Sequence, residues 1–174
     1  MAPGVTVKAA ATAPVLRLYG EVGVDVLVDD VARALDAAGG RDVEIHLFSP
    51  GGAAAEGIAI HNVLAAYKGR KNYVVDGLVA SAGSIVPMAI NKANGDCRLM
   101  PSNALLMIHN CWGGSVGDAD SMDAAAAMLR VHSQVYSTTY AAASGQSVSR
   151  FWNGWARPRG VAPGSPPKRP WRLV

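Results

Sequence analysis

Tyr73-Val-Val-Asp-Gly77-Leu-Val-Ala80-Ser81-Ala-Gly-Ser84 is the stretch that decides the fold. Its first eight residues are rich in apolar and β-branched side chains and read as a strand. The small residues from Ser81 onward read as the start of a helix that continues toward Ala93. Downstream, Leu106-Met-Ile-His109 is an apolar strand that ends in a histidine. A weak nucleophile and a base, each closing a buried element, is the arrangement that serine hydrolysis requires.

Outward from this stretch, strand and helix alternate. Val15-Leu-Arg-Leu-Tyr19 is a strand stopped by Gly20, and Asp29–Ala38 is a helix with Val31, Ala34, Leu35 and Ala38 on one face. Val43-Glu-Ile-His-Leu-Phe48 is the next strand, ended by Ser49-Pro50-Gly51-Gly52. Ala53–Tyr67 follows as a helix with Ile58, Val63 and Leu64 toward the core. Arg98-Leu-Met100 and Ala104–Ile108 are short strands around Pro101-Ser-Asn103, and Asp118–Ala143 is the longest helix. The alternation predicts an α/β domain with a largely parallel sheet.

The chain has 174 residues, enough for one domain with a substantial core. Its net charge of +3 comes from the end of the chain. Arg150, Arg157, Arg159, Lys168, Arg169 and Arg172 have no acid among them, whereas residues 1–149 carry ten basic and thirteen acidic side chains. A basic balance confined to one end gives no reason to expect nucleic-acid binding. Residues 1–14 read as a flexible arm, and the Trp/Arg/Pro-rich residues 150–174 as a disordered tail. Four prolines between Pro163 and Pro170 exclude a helix there. Cys97 and Cys111 lack metal-ligand spacing and read as buried free thiols. No apolar run is long enough to span a bilayer, and no signal-type h-region precedes Pro14, so the chain reads as soluble and cytoplasmic.

Ser81 taken alone reads better as a helix N-cap, and it is His109 and Gly51-Gly52 in the same pattern that favour the nucleophile reading. Beside it, Ser84 reads as a polar packing residue. His46, His61 and His132 have no motif partner and read as structural. No Asp or Glu follows Asp123. Asp118, Asp120 and Asp123 read as capping and charging the long helix. A Ser–Lys dyad through Lys71 or Lys92 is disfavoured, because both lie in polar sequence that reads as exposed. Val79 replaces the first glycine of a Gly-x-Ser-x-Gly elbow, which argues against an α/β-hydrolase.

Several spaced motifs occur in one order: Ser49-Pro-Gly-Gly52, Ala59-Ile-His-Asn62, Asp76-Gly-x-x-Ala-Ser-Ala82, Met100-Pro-Ser-Asn-Ala104, Met107-Ile-His109, Trp112-Gly and Ser144-Gly-Gln-Ser147. On these the chain resembles the ClpP-type serine peptidases from about Val15 to Ser149. Within that family it is most similar to the ClpP-related head-maturation proteases of phages and prophages. The resemblance implies a ClpP/crotonase-like spiral of strand–strand–helix units in a single domain. It implies Ser81 as nucleophile, His109 as general base, and the backbone N–H groups of Gly52 and Ala82 as the oxyanion hole, with no metal or organic cofactor. The implied partners are a polypeptide substrate, further copies in a homo-oligomeric ring, and capsid or scaffold proteins or an AAA+ unfoldase.

Two departures stand out. Phe48 takes the place of the family's asparagine, and the segment that normally supplies the triad aspartate is replaced by the tail. No residue matches that acid, and the break in composition reads as a frameshift or truncation. Reduced activity is therefore the expectation. A non-catalytic ClpP-like assembly subunit or decayed prophage product, and a crotonase-like acyl-CoA enzyme, are the competing readings.

Overall fold

A computed structural model describes residues 5–8 and 13–153 of the chain. Strand β1 (Val5–Lys8) runs antiparallel to β2 (Val15–Tyr19), so the stretch read as a flexible arm contains an edge strand. Helix α1 (Val28–Ala38) buries Val31, Ala34, Leu35 and Ala38, the predicted stripe, and stops at Gly39 in a left-handed C-cap. Next come β3 (Val43–Ser49), α2 (Ala54–Ala66) and β4 (Lys71–Ala80). Short strands β5 (Cys97–Leu99) and β6 (Leu105–Met107) follow, then α3 (Ala119–Ser144) and α4 (Val148–Asn153).

The helix expected from Ser81 to Ala93 is instead a 3₁₀ helix, Ser81–Met88, that contains Pro87. Proline lacks the N–H needed to continue a helix and crowds the turn before it. A second 3₁₀ turn, Lys92–Asn94, leads into β5.

Every strand pairing after β1–β2 is parallel, in the order β1-β2-β3-β4-β5, with β6 also on β4. β4 is ten residues long because it serves two partners on one side. Asn72–Val74 pair with β5, and Leu78–Ala80 pair with β6. One sheet face presents Leu16, Leu18, Val43, Ile45, Leu47, Tyr73, Val75 and Val79 to a single core shared with Ile60, Leu64 and Ile85. In α2 the buried positions are Gly57, Ile60 and Leu64, whereas Ile58 and Val63 are only partly covered.

Phe151 on α4 is also in this core, 4% exposed, with its ring 5.7 Å from that of Tyr140. The domain therefore takes in residues 150–153, which the sequence assigned to the tail. The Arg/Pro-rich remainder of that tail lies outside the described residues. No helix among the described residues is long and apolar enough to cross a membrane.

Two ionic clusters fix the sheet. Lys71 is buried, contrary to its exposed sequence reading, and its Nζ lies 2.9 Å from Asp96 Oδ2. Asp96 also accepts the Lys71 and Asn91 backbone N–H groups. Burial pushes its carboxyl up, but those N–H groups and the Lys71 ammonium outweigh burial and hold it below the usual range. Removing one partner leaves an uncompensated buried charge, so Asp96→Asn is expected to cost about 3–5 kcal/mol in urea unfolding. A cost below about 1 kcal/mol would contradict this account of the pair.

On the opposite sheet face, His46 lies between Asp76 (Nδ1 to Oδ2, 2.7 Å) and Glu44 (Nε2 to Oε1, 2.8 Å), and Tyr19 donates to the same Asp76 oxygen. Burial pulls the imidazole down, yet the two carboxylates outweigh it and raise it above its ordinary 6.5. The raised value means that the stabilisation is complete below about pH 6.5 and is lost as pH rises through the folded value. The melting temperatures of the native chain and His46→Gln should therefore differ most below about pH 6.5 and draw closer as pH rises above it. A gap that widens with pH would contradict the cluster.

Candidate active site

The C-terminal ends of three neighbouring parallel strands carry the residues singled out in the sequence. Ala80 on β4 pairs with Met107 on β6, so Ser81 and His109 leave the sheet side by side. On the other side of β4, Ser49 pairs with Val79, which brings Pro50-Gly51-Gly52 to the same edge. A register shift between Leu47 and Ser49 makes that alignment possible. Parallel α/β sheets form their binding crevices at such strand ends.

Ser81 has φ of 50°, the only positive value on a non-glycine among the described residues. A side chain in this region costs of order 1–3 kcal/mol and is retained where the surroundings fix it. Ser81 Oγ lies 2.8 Å from His109 Nε2, and His109 Nδ1 lies 2.6 Å from the Asn110 carbonyl oxygen. A carbonyl can only accept, so Nδ1 carries the proton. Nε2 is then the lone-pair nitrogen and accepts the Ser81 hydroxyl proton, the tautomer a general base needs. Among the described residues no carboxylate is hydrogen-bonded to His109; a main-chain carbonyl occupies the acid's position. The neighbouring Asn110 Oδ1 is buried without a partner among them, a second unfavourable feature concentrated at the site.

The glycine pair is pressed between two walls. A Cβ at Gly51 would lie 2.5 Å from Ser81 Cβ and 3.0 Å from its Oγ, and one at Gly52 would lie 2.1 Å from the Val22 carbonyl oxygen. The loop is pinned by Val22 N–H to Gly51 O (2.7 Å), Ala53 N–H to Val22 O (2.9 Å) and Gly51 N–H to Ser49 Oγ (3.1 Å). None of these bonds uses the Gly52 N–H. The Ala82 N–H belongs to the first turn of its 3₁₀ helix, ahead of the helix's own hydrogen bonds.

The remaining sequence candidates lie elsewhere. Asp118 caps α3 through Ser121 N–H at 2.9 Å, with Asp120 in the first turn. Lys92 is exposed, and Lys71 is committed to Asp96. His61 Nδ1 is 3.0 Å from the Ile85 carbonyl oxygen, and burial holds its imidazole below its ordinary value. Phe48 stays half-exposed, edge-on to Tyr19 at 6.3 Å. The two cysteines are partly rather than fully buried. Burial pushes the Cys111 thiol up, which disfavours the thiolate. No group of three His, Cys, Asp or Glu among the described residues could hold a metal ion.

Residues 17–162 match the Clp protease family. The chain belongs to that family. It is 31% identical over 118 residues to the ATP-dependent Clp protease proteolytic subunit 3 of Rhizobium johnstonii, covering 68% of this chain and 59% of that protein. It is 27% identical over 137 residues to the ATP-dependent Clp protease proteolytic subunit of Ligilactobacillus salivarius, covering 77% and 68% respectively. This Clp-family chain thus spans about three-fifths of the length of the first of these relatives. Its fold superposes on a point mutant of ClpP1 from Listeria monocytogenes with a TM-score of 0.70 at 26% identity, over 82% of this chain and 79% of that one. The family match continues past Ser149, where the resemblance read from the sequence ends.

Sequence reading missed three groups at the site: the Asn110 carbonyl, which leaves no side-chain signal, and the hydroxyls of Tyr136 and Tyr140. The signal available for the tyrosines is their i, i+4 spacing, which puts them on one face of α3. Gly51→Ala should displace Ser81 from His109 and lower any Ser81-dependent reaction by about 10²-fold or more, the scale of a misplacement near 1 Å. An alanine variant that reacts like the native chain in a serine-labelling assay would contradict the close approach.

Proposed function

We propose that this chain is a serine endopeptidase subunit that hydrolyses peptide bonds through an acyl-enzyme on Ser81. The observation that carries the proposal is the 2.8 Å contact between Ser81 Oγ and His109 Nε2, with His109 Nδ1 committed to a carbonyl. Ser81 Oγ attacks the scissile carbonyl carbon while Nε2 takes its proton. The carbonyl oxygen becomes an oxyanion stabilised by the N–H groups of Gly52 and Ala82, a donor pair in which each member is worth about 2.7–4 kcal/mol of barrier. Collapse breaks the C–N bond, and the imidazolium returns the proton to the leaving amine. Water then repeats the sequence on the ester and releases Ser81.

Within this reading the Asn110 carbonyl holds the imidazole tautomer as a triad carboxylate does, but it supplies no full negative charge to the imidazolium. Replacing a triad Asp by Asn costs about 10⁴-fold in turnover because the wrong tautomer is favoured. Here the tautomer is retained, so the expected turnover lies below that of a full triad and above that of a mis-tautomerised one. The relatives named as ATP-dependent proteolytic subunits support action on polypeptides together with an ATP-dependent component; the family resemblance extends this proposal to a ring of identical copies fed by an AAA+ unfoldase in the cytoplasm. The run of motifs from Ser49-Pro-Gly-Gly52 to Ser144-Gly-Gln-Ser147 supports the phage head-maturation branch, with capsid or scaffold proteins as substrates.

A fluorophosphonate probe tests the chemistry. Labelling should map to Ser81, vanish in Ser81→Ala, and slow by at least about 10²-fold in His109→Ala, the lower range for general-base catalysis. A chain that stays unlabelled, or labelling that survives Ser81→Ala, would overturn the proposal.

A further inference from the structure

The Ser81 turn is held from behind by a buried hydroxyl chain. Ser84 is fully buried, and its Oγ lies 2.5 Å from the Ser81 carbonyl oxygen and 2.6 Å from Tyr140 Oη. A carbonyl only accepts, so the single Ser84 proton is spent on Ser81. The Tyr140 hydroxyl must therefore donate to Ser84, which gives one direction of proton donation: Tyr140 to Ser84 to the carbonyl of Ser81. This order requires a neutral phenol, and burial pushes Tyr140 far above its ordinary value. Tyr140 is 1% exposed on α3 and packs between Tyr136 and Phe151.

The same helix reaches the other half of the site. Tyr136 Oη donates to the Ala54 carbonyl at 3.0 Å, in the first turn of α2 just past Gly51-Gly52. A Cβ at Gly57 would meet both Tyr136 Oη (2.6 Å) and the Ala82 carbonyl (2.8 Å), so α3, α2 and the Ser81 turn meet at one point.

We propose that Ser84 and Tyr140 are positioning residues that hold Ser81 at positive φ with its Oγ on His109, so that α3 sets the geometry of the nucleophile. They touch no reacting atom. They act by fixing the peptide that follows Ser81, whose position determines both Oγ and the Ala82 N–H. The proposal rests on the peptidase reading only for its kinetic consequence.

The test has a structural arm and a kinetic arm. Crystal structures of the native chain, Ser84→Ala, Tyr140→Phe and the control Ser137→Ala give Ser81 φ and the Oγ–Nε2 distance. Ser137 is equally buried and donates only within α3, to the Ser133 carbonyl, so the control removes a buried hydroxyl without touching the turn. Ser84→Ala should move Ser81 out of the positive φ region and open the Oγ–Nε2 contact beyond hydrogen-bonding distance, with Ser137→Ala unchanged.

In the kinetic arm, Ser84→Ala should slow the saturating rate of fluorophosphonate labelling by about 10²-fold without weakening probe binding. Tyr140→Phe should slow it less, because Ser84 still reaches Ser81. The double variant should react like Ser84→Ala alone, since the two hydroxyls act as one chain. Ser81 unmoved in Ser84→Ala, or additive losses in the double variant, would overturn the proposal. A native chain that never labels would instead remove the peptidase reading, and the crystal structures would still decide the positioning role.

Discussion

The parallel pairing of β4 with β6, which sets Ala80 opposite Met107, is the constraint on which the rest of the site depends. A slip of one residue would carry the two strand ends about 3.3 Å out of line and part Ser81 from His109, which follow them. The length of β4 protects this register. Its N-terminal part is held by β5 and by the buried Lys71–Asp96 pair, and β3 pairs with it on both sides of the register shift, over Lys71–Val75 and at Val79. The last turn of the strand can then end in an unfavourable backbone angle without unravelling.

Energy is distributed unevenly over the molecule. The core face of the sheet is dense with fully buried aliphatic side chains, and its stabilisation is generic. At the strand ends the chain tolerates a left-handed serine, an Asn110 oxygen without a partner among the described residues, and two glycines pressed against neighbouring atoms. Such costs persist only where other contacts enforce them. In the positioning role proposed for them, the Ser84–Tyr140 hydroxyls are such contacts, and the Val22–Gly51 and Ala53–Val22 bonds hold the glycine turn. The unfavourable geometry is thus concentrated at Ser81 and its neighbours with buried hydrogen bonds directly behind, as the proposed peptidase role would require of a preorganised centre.

Much of this was legible in the sequence, for reasons that also explain what was not. Val31, Ala34, Leu35 and Ala38 mark α1 because helical period and burial coincide. Val43–Phe48 marks β3 because alternation and β-branching coincide. Ser81, His109 and the Gly51-Gly52 turn were legible because each ends an apolar strand, where chemistry-bearing residues stand out. The 3₁₀ form of Ser81–Met88 was hidden by a small apolar run that suits either helix until Pro87 is weighed. Lys71 was misjudged because its neighbours in sequence are polar, while its partner Asp96 lies 25 residues away. β1 and α4 sit in Ala- and Trp-rich stretches with weak periodicity, and only tertiary contact reveals them. The Asn110 carbonyl has no sequence signature because every residue carries one.

The central claim is that the ends of β3, β4 and β6 converge on one reacting centre. A crystal structure of the chain after reaction with diisopropyl fluorophosphate tests it most directly. The account requires the phosphoryl group on Ser81 Oγ, with its free oxygen about 2.7–3.1 Å from the amide nitrogens of both Gly52 and Ala82 and the His109 ring alongside. An adduct on any other residue, or a phosphoryl oxygen turned away from those two amides, would contradict it.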